Sequence, residues 1–132
     1  MPDEVVQDAG NSVLQWGSLG QAAAAGQLQL GDGVAERCAQ HCSQFIDKLV
    51  QLKEQATTLS VRGSLGTLPS GIAVAEKLSL LAEGGEYSLV QALTDHIAVV
   101  TEMQAMFQQI GANYVATEEA TTAAVGNIDP QV

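Results

Sequence analysis

Cys38, His41 and Cys42 lie within one short stretch, and cysteine and histidine are ready zinc ligands. On a helix all three share a side. A hairpin register in which facing positions sum to roughly 131 would bring His96 about one turn from Cys38, giving a fourth ligand. Against this, Cys-x-x-x-Cys lacks the paired knuckles of a zinc motif, and small buried cysteines are ordinary core residues. The expectation is packing, with no metal, and with His96 as a core histidine whose hydrogen bond is satisfied. The same spacing is poor for a disulfide, because both side chains would have to bend together along one turn. Tyr114 and Glu118 are four apart, so on a helix an aromatic anchor and a carboxylate can be read together from one face. Asp95 and Glu102, seven apart, can be written as a carboxylate pair but read better as a solvated face. Met103 and Met106 fit ordinary packing at helical spacing. No nucleophile elbow, phosphate loop or paired metal-binding histidine motif is present, so neither an enzyme nor a cofactor is expected.

The elements that must carry these residues are helices. From Tyr87 to Val125 apolar residues recur with helical period. Val90, Leu93, Ile97, Val100, Phe107 and Tyr114 fall on one side, and Leu89, Val99, Met103, Met106 and Ile110 widen it. Gln91, Asp95, Glu102 and Gln109 share the opposite face. So wide an arc needs two neighbours. Ser88 with Gln91 reads as a capping box that starts the helix at about 88. Running to about 125 it spans about 55 Å, with Gly111 as a soft point.

A second long helix is expected over about 33–60, capped by Asp32 or Gly33. Val34, Cys38, Cys42, Phe45, Leu49, Leu52, Ala56 and Leu59 form its seam. Val61 to Ser70 is the principal break, punctuated by Gly63, Gly66 and Pro69. Ser70 then caps a short helix over about 71–83, with Val74, Leu78 and Leu81 on one side, ended by Gly84-Gly85. The glycine- and alanine-rich segment 1–32 reads as an acidic loose tail to about residue 10, then as partly helical. Residues 126–132 read as a C-terminal tail. The expected architecture is therefore all-α: one helical-hairpin domain over 33–125. A two-helix hairpin cannot enclose a core alone, so the arc of Val90, Leu93, Ile97, Val100, Met103, Phe107 and Ile110 is expected to meet a partner chain. That partner would make a homodimer, or a heterodimer with another helical hairpin.

With 46% hydrophobic but only 4% aromatic residues, the core must be built from Ala, Leu, Val and Ile, which suits close helix packing. A net charge of -10, from 15 acids against 5 bases, argues against nucleic acid and anionic lipid surfaces. No run of about 18 apolar residues exists, so no membrane span is expected. The acidic start, MPDEVVQDAG, lacks the basic n-region and apolar run of a Sec signal peptide.

A small acidic helical hairpin with Tyr-x-x-x-Glu near the end of its second helix resembles the type VII (ESX) secretion substrates of actinobacteria, the WXG-type and EspC-like proteins. The text GSLGTLPSG, then SLVQAL and ANYVATEEATTAAV, carries the resemblance over roughly residues 30–125. It implies an export signal at Tyr114 and Glu118, a type VII secretion ATPase as partner, and secretion through that system after a cytoplasmic stage. The turn here is Gly63-Ser64-Leu65-Gly66 with no tryptophan, and Trp16-Gly17 lies before the hairpin. That departs from the WXG-type pattern and favours EspC-like relatives or a helical partner of a larger substrate. The other class that the sequence allows is a cytosolic helical adaptor or structural oligomer that is not exported.

Overall fold

The computed structural model describes residues 2–59 and 64–127. Four helices, and no strand among these residues, make the chain all-α: α1 (Pro2–Ala24), α2 (Val34–Thr57), α3 (Pro69–Ala82) and α4 (Leu89–Gly126). The two long helices and the short one lie within a few residues of their expected bounds. Ser88 caps α4 as its sequence requires, its hydroxyl accepting from the Gln91 N–H at 3.3 Å. The Gln91 side chain turns instead to Asp95, donating to Oδ1 at 2.9 Å. α3 starts two residues earlier than expected: Leu68 is its N-cap and Pro69 occupies the first turn, where a missing N–H costs nothing. Gly63 of the preceding break, and residues 128–132 of the expected C-terminal tail, lie outside the described residues.

The N-terminal segment differs from expectation. It is a helix from Pro2 to Ala24, not a loose tail leading into partial helix, and it packs along α4. Gly26 does not weaken this helix but ends it. At φ 75° it lets the Gly26 N–H reach Ala23 O at 3.0 Å and the Gln27 N–H reach Ala22 O at 2.9 Å, a Schellman closure.

α4 is the central element, with α1 and α2 each packed on it. Gly17 sits near Glu102 and Ala23 near Asn113, so α1 runs parallel to α4. Ala35 and Glu36 face Gly111, while Leu49 and Ala56 share a buried cluster with Leu93 and Val100, so α2 runs antiparallel. The Ala35, Glu36 and Gly111 contacts make facing positions sum to about 147 rather than 131. The physical reason is that the whole segment between α2 and α4, α3 included, serves as the connection, and the mirror point moves with it.

The arc expected to receive a partner chain is filled from within. Leu93 and Val100 are buried with Cys42, Leu49 and Ala56 of α2, and Val90, Ile97, Met103 and Phe107 pack around that cluster. Ile110 joins Met106, Ala23 and Ala35 in a second cluster, closed by Trp16, Leu28 and Leu30. α1 supplies the second neighbour that the width of the arc demands. It also covers part of the face expected to be solvated, with Gly17 beside Glu102, and both Glu102 and Asp95 are half-buried.

The seam of α2 is rotated from the expected one. Ala35, Ala39, Cys42, Leu49 and Ala56 are buried, whereas Phe45, Leu52 and Leu59 stay exposed. Small residues face inward because α2 approaches α4 closely at Gly111, where an added Cβ would stand 3.7 Å from that of Ala35. α3 touches α4 only marginally. Among the described residues no helix is long and apolar enough to cross a membrane.

Candidate functional site

Tyr114 and Glu118 stand where α4 leaves the helical layer. Upstream, α4 is flanked by α1 and α2; from Val115 to Asn127 every residue is exposed. Tyr114 is half-buried at the last supported turn, and Glu118 is exposed one turn on. The two side chains border a common cleft of about 190 Å³, together with Leu28, Leu30, Ile110 and Asn113. The structure therefore brings the pair together on one face, as their spacing requires.

Asn113 holds this corner in place, and nothing in the sequence points to it. Its amide nitrogen donates to the carbonyl oxygen of Ala23, bolting the end of α1 to α4, and Gln109 Nε2 donates to its Oδ1 at 3.0 Å. That carbonyl, in the last turn of α1, already accepts from the Gly26 N–H, and the Asn113 amide takes its second lone pair. With Gly26 closing α1, the 25–33 connection turns beside Tyr114 and places Leu28 and Leu30 in the cleft wall.

On its other side Tyr114 meets carboxylates. Asp32, Glu36, Glu118 and Glu119 line an open depression beside it. The negative charges of Asp32 first, then Glu118, with a smaller share from burial and Glu36, push the Tyr114 phenol above its ordinary range. The tyrosine thus stays neutral, a hydroxyl donor in an anionic setting. Asp32 and Glu36 are further residues that sequence reasoning did not assign to the site; their proximity depends on how α2 crosses α4.

The zinc alternative is not assembled. His41 and His96 are both exposed, Cys38 is half-buried and Cys42 buried. In the observed register Cys38 lies toward the Gly111 end of α4, well away from His96. Among the described residues no three His, Cys, Asp or Glu side chains converge on a common point. His96 is not a core histidine: the α2-facing side of α4 passes through Leu93, Ile97 and Val100, leaving position 96 outside. Burial, and then the neighbouring Cys38, push the Cys42 thiol up, so it carries little of the thiolate that binds metal or attacks carbon. No family model, curated protein or solved structure matches this chain.

Proposed function

We propose that this chain is a small type VII secretion-associated protein, a secreted substrate or helical export partner, whose Tyr114 and Glu118 are read by the secretion ATPase. The observation that carries the reading is the placement of the pair. Tyr114 is anchored at the edge of the helical layer while Glu118 stands on an unflanked helix end, bordering the same cleft. A receptor can therefore grip the aromatic, the carboxylate and the protruding end of α4 without unfolding the rest. The carboxylates around Tyr114 match a cationic reading surface. No enzymatic activity, metal or cofactor belongs to this reading.

The test is the distribution of the protein between medium and cells for Glu118→Gln in a host with an active type VII system. Glu118 is exposed and its carboxylate makes no contact on which the fold depends, so the variant should keep its helicity and melting point. Export should nevertheless fall at least about tenfold. Normal secretion of a Tyr114→Ala, Glu118→Gln double variant refutes the signal.

A second reading, a cytosolic helical adaptor or oligomerisation protein, is favoured by one observation: α3 exposes Ile72, Val74, Leu78 and Leu81. Large apolar side chains gathered on one short helix are a usual mark of protein association.

A further inference from the structure

α3 is built the wrong way round for a chain that acts alone. Its buried residues are Ala75, Ser79 and Ala82, whereas Val74, Leu78 and Leu81, one position away on each turn, are out in solvent. Burying a Leu or Val side chain removes far more apolar surface from water than burying an Ala, so an isolated chain gains by turning this helix the other way. The ends of the helix are nonetheless sharply defined. At Gly71 an added Cβ would stand 2.4 Å from Leu65 O, and at Gly85 it would stand 2.3 Å from Leu80 O. Both ends of the helix are thus closed by tight local backbone contacts, and its small-residue side, Ala75, Ser79 and Ala82, is the side turned inward.

We infer that the Val74, Leu78 and Leu81 stripe of α3 docks against the same stripe of a second copy of this chain, with the two α3 helices antiparallel about a two-fold axis. The spacing is self-complementary. An axis midway between positions 74 and 81 sets Val74 of each copy opposite Leu81 of the other, with Leu78 beside the axis. Charge favours a like copy here and disfavours it elsewhere. The chain carries -10 overall, yet Pro69–Ala82 holds only Glu76 and Lys77, which cancel, so two copies meet there with least repulsion.

The size of the patch sets the strength. Leu81 is 67% exposed, Val74 49% and Leu78 45%, which leaves on the order of 300 Å² of apolar side chain per copy. Interfaces are about 60% apolar, so two such stripes with their polar rims bury roughly 1,000 Å² in all, the lower bound for specific association. Such an interface lies at the small end of the specific range, so the association is looked for at micromolar concentration and above. The inference deepens the partner side of the reading above by naming the second chain, and it is measured on purified protein, so its failure leaves the export signal untouched.

Sedimentation equilibrium of the full chain from about 1 to about 100 µM should show a monomer–dimer equilibrium. Leu78→Glu and Leu81→Glu should each weaken it by at least about thirty-fold, as loss of a central contact does. Both positions are solvent-facing, so helicity and melting of the dilute monomer should not change. Hydrogen exchange across the same range should slow in α3 as concentration rises. A chain that stays monomeric at about 100 µM overturns the inference, as does a dimer that both substitutions leave intact. Slowing confined to the Phe45, Leu52 and Leu59 side of α2 would also overturn it, as would α3 protection that appears only on adding a different helical protein.

Discussion

Gly111 offers the sharpest test of how α2 and α4 are arranged. It is a glycine inside a 38-residue helix, and from sequence it reads as a weak point. In the structure it is buried at the crossing of α4 with α2. An alanine Cβ placed there would meet Glu36 Oε1 at 3.0 Å, Glu36 Cδ at 3.4 Å and Ala35 Cβ at 3.7 Å. The tight contact is with the far end of an exposed, flexible side chain, which can swing by the few tenths of an ångström required. Replacing glycine by alanine in a helix interior is worth about 0.5–1 kcal/mol. Gly111→Ala should therefore stabilise the chain, raising its melting temperature by about 2–5 °C. Leucine is a different matter. Its further carbons would enter a space already bounded by Ala35, and such overpacking costs about 1–3 kcal/mol, a fall of about 4–12 °C. The assay is thermal unfolding followed by circular dichroism, with Glu36→Ala as a companion variant. In that background Gly111→Ala should show its full propensity gain. If Gly111→Ala alone destabilises by more than about 1 kcal/mol, or if Gly111→Leu is tolerated, α2 does not cross α4 at this point and the reasoning fails.

Leu49 is 5% exposed and packed in the cluster with Cys42, Ala56, Leu93 and Val100. Leu49→Ala should cost about 2–5 kcal/mol in urea unfolding, while Leu52→Ala, one turn away on the exposed flank, should cost well under 1 kcal/mol. Phenol ionisation followed by ultraviolet absorbance should find Tyr114 titrating above the ordinary tyrosine range. Asp32→Asn should bring it down more than Glu118→Gln, following the order of their influence. Because the folded state holds this proton more tightly than the unfolded chain, the linked stability is intact below about pH 10 and lost as pH rises through the folded value.

Much of the local structure is legible in the chain itself. Helical periodicity, Ser88 at a helix start and glycine pairs at helix ends are short-range signals. They place α2, α3 and α4 within a few residues because propensity and capping act over a single turn. The width of the α4 arc even announces two neighbours. What the sequence does not carry is which neighbours. α1 is obscured by its glycines, since Gly10, Gly17 and Gly20 lower local propensity while packing on α4 more than offsets them. The register of α2 against α4 depends on the closest approach of two backbones, which Gly111 and Ala35 set and no periodic pattern encodes. For the candidate site, the spacing of Tyr114 and Glu118 is enough to put them on one face. Only tertiary structure decides that α1 ends beside them, that Asn113 bolts the corner, and that Asp32 and Glu36 supply the surrounding charge. Sequence alone thus determined α2, α3 and α4 and the pairing of two side chains, because these rest on contacts within a turn. The tertiary structure decided the core, the rotation of α2 and α3, and the setting of Tyr114, because each depends on distances between segments far apart in the chain.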